Sequence, residues 1–224
     1  MDTATADTRP PATRIADAEI VRELGPFAEG GRVHGVTHDG RRLWVATGAE
    51  LLQVDPDSGD VERRLPVASD AGTAFDGRVL YQIAESRIDR IDPATGQVLG
   101  SIPAPGGGGD SGLAWAEGSL WVGQYRERRI HQIDPETGAI RRTIDSDRFV
   151  TGVTWVDGEL WHGTWEGDES DLRRIDPETG AVHERLRMPP GTGVSGLESD
   201  GAGLLHAGGG GSGTVRAVRR PARR

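Results

Sequence analysis

The 224-residue sequence contains no cysteine, no lysine and no asparagine. Without cysteine there is no disulfide framework, no thiolate metal site and no thiol nucleophile. Without lysine, Schiff-base catalysis and the phosphate-binding lysine of a P-loop are both excluded. All 26 basic residues are arginine, a bias that a GC-rich coding sequence produces and that leaves the chemical exclusions in force. No apolar run approaches the roughly 18 residues needed to cross a bilayer, and the first 18 residues lack the apolar stretch of a secretory signal. The expected location is therefore cytoplasmic, with no membrane partner. A formal net charge of -9 argues against a nucleic-acid partner as well, because neutralising phosphates requires a basic field. Residues 1–18, rich in Thr, Ala, Pro and Asp, read as a disordered tail. Residues 19–219 read as one domain and 220–224 as a basic frayed end.

What the chain has in abundance is glycine, 34 residues, and much of it is periodic. Four closely similar boxes occur: Asp55-Pro56-Asp57-Ser58-Gly59, Asp92-Pro93-Ala94-Thr95-Gly96, Asp134-Pro135-Glu136-Thr137-Gly138 and Asp176-Pro177-Glu178-Thr179-Gly180. Their first Asp residues are 37, 42 and 42 positions apart, close to the roughly 40–45 residues of a four-stranded propeller blade. The box has a complete turn chemistry: Asp caps, Pro presets φ and Gly takes the left-handed position. Its carboxylates are expected to shape turns, not to catalyse.

Five unit starts precede these boxes, each a small or polar residue before glycine: His34-Gly35, Ala71-Gly72, Ser111-Gly112, Thr151-Gly152 and Ser195-Gly196. After each comes a short apolar strand, an acidic-Gly hairpin turn and a second strand, aromatic-rich in four of the five units. The fifth unit lacks a fourth strand. Ile20–Leu24 resembles Val61–Leu65 closely enough to supply it, which would remove the ring's exposed edge. The expected architecture is all-β, a five-bladed propeller of four-stranded antiparallel blades whose last blade is closed by the N-terminal strand.

The short turns fall on one face, so function is assigned to the other, which carries the irregular loops 25–33, 103–110, 124–128, 165–170, 188–194 and 207–213. The glycine runs 106–109 and 208–211 read as flexible loops, lacking the helix of a phosphate cradle. His38 aligns with Phe75, Trp115 and Trp155 and reads as packing between blades; His131 and His183 read as solvated. His34, His162 and His206 differ. They lie in the first, fourth and fifth blades, neighbours in a closed ring, and are expected to converge at the channel mouth as acid-base residues or as ligands to one divalent metal ion. The alternative is that they only hydrogen-bond strands and water in a polar channel. Gln82, Gln124, Tyr125, Trp165 and Glu166 complete the substrate-binding candidates.

The run Val156-Asp157-Gly158-Glu159-Leu160-Trp161, followed by Trp165 and by Arg174-Ile175 and the fourth box, resembles the plant-type glutaminyl cyclases. That resemblance implies a five-bladed propeller and an enzyme that converts N-terminal glutamine to pyroglutamate with a glutamate as acid-base residue. The family's Leu-Tyr-Glu-Ser-Thr-Gly corresponds to Leu43-Trp44-Val45-Ala46-Thr47-Gly48, so Val45 stands where the glutamate belongs. Gly163 stands where the family has its substrate-holding asparagine. A looser likeness to streptogramin lyases and lactonase-type propellers implies a divalent metal held by histidine or carboxylates. The leading expectation is an enzyme acting on a small molecule or short peptide by cyclisation, elimination or hydrolysis. A non-catalytic ligand-binding or protein-interaction propeller is the alternative, and true glutaminyl-peptide cyclotransferase activity a minority option. Oligomeric state stays open, a monomer included.

Overall fold

Residues 12–27 and 31–222 are described by the computed structural model. Among them every regular element is a β-strand. Two strands precede the repeats, β1 (Arg14–Asp17) and β2 (Ile20–Leu24). Blade 1 is β3 (Gly35–His38), β4 (Leu43–Ala46), β5 (Leu51–Val54) and β6 (Val61–Leu65). Blade 2 is β7 (Thr73–Phe75), β8 (Leu80–Ala84), β9 (Arg87–Ile91) and β10 (Val98–Pro103). Blade 3 is β11 (Asp110–Ala116), β12 (Ser119–Gln124), β13 (Arg129–Ile133) and β14 (Ile140–Asp145). Blade 4 is β15 (Val150–Val156), β16 (Glu159–Glu166), β17 (Glu169–Ile175) and β18 (Val182–Arg187). Blade 5 contributes only β19 (Gly196–Ser199), β20 (Leu204–Gly208) and β21 (Val215–Arg219), and β2 pairs antiparallel with β21 to complete it. The molecule is thus a five-bladed propeller closed by its N-terminal strand.

The four Asp-Pro boxes form the expected turns. Asp55 Oδ1 accepts from the Asp57 and Ser58 amides, Gly59 N donates to Asp55 O, and Gly59 has φ +80°. The other three boxes repeat this Asp carbonyl to Gly amide bond. Inner strands β3, β7, β11, β15 and β19 touch in cyclic order, and the glycines that open the units let them approach. A Cβ on Gly72 would lie 2.4 Å from Leu113 N, and one on Gly152 2.2 Å from Leu197 N. The ring is therefore closed by backbone at this level, leaving a cup above it.

Between blades, rings from one second strand lie on rings from the next first strand: Tyr81 on Trp115 and Trp121 on Trp155, both with centroids 5.5 Å apart. At the seam joining blade 5 to blade 1 the equivalent pair is His206 on His38, 6.2 Å apart and nearly parallel. Beneath the glycine level, Glu198 bridges three blades: its carboxylate accepts from Thr37 Oγ1 at 2.7 Å, from Thr154 Oγ1, and from the Ser199 amide at 2.8 Å.

Two boundary expectations change. Arg14–Asp17, placed in the tail, forms β1, a fifth strand parallel to β18 on the outside of blade 4, with Arg187 paired to Asp17; backbone pairing to an open blade edge supplies order that composition cannot signal. Residues 1–11 of that tail lie outside the described residues. Arg220, placed in the frayed end, is held by a backbone bond from its amide to Gly203 O and an ion pair to Asp157, 2.5 Å apart. Residues 223–224 lie outside the described residues.

Candidate functional site

The residue before each unit-opening glycine lines one cavity. His34, Ala71, Ser111, Thr151 and Ser195, one per blade, form the wall of a cup of about 470 Å³ on the loop-rich face, joined by Arg32, Asp70, Asp110, Tyr125 and Trp165. The propeller's rotation makes this ring unavoidable, since equivalent positions of five inner strands surround the axis. Only His34 was singled out from this column in the sequence. Asp70 and Asp110, one residue earlier in their units, could have been found by the same alignment; Arg32 could not, because its loop is irregular.

Each side chain in the cup has a definable state. Burial lowers the His34 pKa, with Asp70 opposing and Arg32 adding to the effect, so the imidazole is neutral at pH 7. Asp110 is pushed up by burial, against hydrogen bonds from Gly106 and Gln124. The Gly106 amide lies 3.0 and 2.9 Å from its two oxygens, so the glycine run 106–109 folds around a carboxylate and is not a free loop. Ser111 donates to Val150 O and Ser195 to Val33 O, which ties up both hydroxyls. Thr151 Oγ1 is buried without a partner among the described residues, packed against Gly163.

Trp165 forms one wall. Its indole donates to Gly167 O at 3.1 Å, and Tyr125 Oη donates to its carbonyl at 3.2 Å. Its ring lies against glycines: a Cβ on Gly193 would come within 2.9 Å of it, and one on Gly210 within 2.7 Å. The second glycine run thus seats an aromatic ring and is not merely a flexible loop.

The remaining candidates lie elsewhere. Gln124 stands behind Asp110 in an adjoining cavity of about 440 Å³ that also involves Tyr125. Gln82 is fully buried, its amide nitrogen spent on the carbonyls of Ala71, Gly72 and Ile83. Glu166 faces away from the cup, accepting from the Phe149 amide at 2.7 Å beside Arg148.

The three imidazoles do not converge. His162 is buried between blades 3 and 4, in a cavity that shares no lining residue with the cup. His206 is in the seam between blades 5 and 1. Among the described residues no group of three or more His, Asp or Glu side chains is arranged to hold a metal ion. The cause for His206 is one residue. Trp44, Tyr81, Trp121 and Trp161 each follow their unit's glycine by nine positions, whereas His206 follows Gly196 by ten. The last hairpin turn is longer, bonding Asp200 N to Leu204 O where blade 1 bonds Asp39 N to Arg42 O. His206 consequently pairs with Glu198 as Trp161 pairs with Thr154, and it occupies the aromatic column, not that of His162. His131, expected in solvent, is buried with Nδ1 2.8 Å from Thr143 Oγ1, because it pairs with the outer strand β14.

The positions where the resemblance places an acid-base glutamate and a substrate-holding asparagine are packed shut. Val45 is fully buried in the core of blade 1. A Cβ on Gly163 would lie 2.5 Å from Val194 Cγ1 and 2.7 Å from Thr151 Oγ1, so no asparagine fits there without displacing its neighbours.

The sequence matches no protein-family profile, and no curated protein is similar to it at the sequence level. Solved structures are similar in fold. Glutaminyl cyclase from Myxococcus xanthus superposes with a TM-score of 0.75 at 20% identity, covering 94% of this chain and 98% of that one. A chain of the Mitotic Checkpoint Complex gives 0.54 at 16% identity, covering 87% and 76%. Virginiamycin B lyase from Staphylococcus aureus gives 0.51 at 12% identity, covering 84% and 66%. The chain shares its five-bladed propeller with glutaminyl cyclase, and resembles a lyase more distantly.

Proposed function

We propose that the cup is the working site of an enzyme that moves protons on a small molecule or short peptide carrying an amine. The observation behind this reading is the gathering of a neutral imidazole, two carboxylates and two aromatic rings in one cavity: His34, Asp70, Asp110, Tyr125 and Trp165. A neutral imidazole accepts a proton, and burial of Asp110 favours its protonated form, the one that can act as an acid; groups whose environments differ in this way divide the base and acid roles. Asp70 would steady the imidazolium formed at His34. Asp70 and the Trp165 face favour a cationic amine. The reaction class is cyclisation, elimination or hydrolysis. We propose that it has no nucleic-acid partner, on the strength of its net charge of -9, and that it works in the cytoplasm.

The test is a turnover assay with N-terminal glutamine peptides beside a panel of amine-bearing esters and amides. Because a positioned acid or base typically contributes roughly 10²–10⁴-fold, turnover of the active compound should fall about a thousandfold in His34→Ala, with Tm unchanged. Turnover that survives this substitution overturns the assignment. The filled Val45 and Gly163 positions favour a second reading, a binding propeller that kept the scaffold without the chemistry. Saturable binding that quenches Trp165 fluorescence, with no turnover of any compound, would establish it.

A further inference from the structure

The cavity between blades 3 and 4 is a separate site. It has a volume of about 290 Å³, with walls formed by Ile130, Ile144, Ile175 and Val182, and it is also lined by His162, by Asp145 at the end of β14 and by the loop residues Ser146 and Asp147. His162 is only 1% exposed. Its Nδ1 lies 3.1 Å from Gly163 O. A carbonyl only accepts, so Nδ1 carries the ring proton and Nε2 is a bare acceptor. Among the described residues, nothing hydrogen-bonds to Nε2.

His162 lines this cavity, and an apolar side chain at its position would offer no acceptor there. The equivalent second-strand positions in blades 1 and 3 are Val45 and Val122. The histidine thus adds an acceptor beside the apolar wall of Ile130, Ile144, Ile175 and Val182. A cavity of about 150 Å³ lined by apolar side chains is known to hold benzene, so this one accommodates a phenol- to indole-sized molecule. Asp145 and Asp147 disfavour an anion, although Asp147 is engaged by Arg173 at 2.6 Å.

We infer that this cavity binds a small, uncharged, largely apolar molecule carrying one hydroxyl or N–H group, which donates to His162 Nε2. Binding involves no bond making and is independent of the cup.

The experiment titrates phenol and benzene, matched in shape, into the full chain labelled with ¹⁵N at histidine. Phenol is expected to move the His162 Nε2 resonance and to bind about tenfold more tightly than benzene, the factor a single hydrogen bond supplies. In His162→Leu the two should bind within about twofold of each other, and His34→Ala should change nothing. Phenol binding no tighter than benzene, an undiminished phenol preference in His162→Leu, a shift at His34 in place of His162, or no binding by either compound would each overturn the inference. If His162→Leu fails to fold, the wild-type Nε2 resonance and the phenol-to-benzene ratio still decide.

Discussion

At Gly152 the ring leaves no room for even one methyl group. A Cβ there would meet Leu197 N at 2.2 Å, a backbone atom that cannot rotate away. Overpacking a fitted interior typically costs about 1–3 kcal/mol, and a clash against main chain belongs at the upper end or beyond. Gly152→Ala should therefore lower the unfolding free energy by about 3 kcal/mol or more in urea denaturation, while Gly158→Ala, on an open hairpin turn with φ +76°, should cost only its backbone strain, about 1 kcal/mol. The same crowding acts on the cup. Gly210→Ala would push against the Trp165 ring, and is expected to shift the tryptophan emission and weaken cup ligands more than it lowers Tm.

Two N-terminal strands of similar length differ sharply in their roles. β2 completes blade 5, burying Leu24 against Phe27, Val33 and Val215. β1 adds four exposed residues to the outside of a blade that already has four strands. Deleting residues 1–26 should collapse the thermal transition, since the ring loses its closure and opens an edge at β21. Deleting residues 1–18 should leave a folded propeller with Tm lowered by only a few degrees. Equal effects from the two deletions would contradict this division. β2 was legible in the sequence because Ile20–Leu24 repeats the pattern of Val61–Leu65 and the fifth unit visibly lacks a strand. β1 was not, because a parallel strand lying on a solvated edge needs no apolar alternation. The His206 column was misjudged because side chains alternate with period two, so a single extra residue in a turn sends the next side chain to the other face.

For the whole molecule, pH acts through buried groups of opposite sign. Burial lowers His162 and His206 to about 4 from the ordinary 6.5. The unfolded chain protonates them below 6.5 and the folded chain only near 4, so their contribution is fully present above 6.5 and is lost as pH falls through this window. Burial pushes Glu198 up to about 7 from 4.5. Its contribution is fully present below 4.5 and lost as pH rises to 7, a loss of about 3 kcal/mol. The two effects oppose each other between pH 4.5 and 6.5. Glu198→Gln should therefore steepen the loss of stability on acidification from pH 7 to 4.5, and His206→Phe should flatten it, both measured as urea midpoints across the range. Unaltered slopes in both variants would show that these groups are not the ones titrating.

The sequence by itself determined the blade count, the Asp-Pro turns, the closing strand and the face that carries the loops. Those features are written within single repeats or in the comparison of one repeat with the next, where local turn chemistry and strand alternation act over a few residues. Only the tertiary structure assembled the candidate site. The cup takes one wall residue from each of five blades, from His34 to Ser195, with Asp70, Asp110 and Trp165 brought in beside them, and that assembly exists only when the ring closes. The histidines that looked convergent along the chain were separated by the same closure, His162 into the space between two blades and His206 into the last seam.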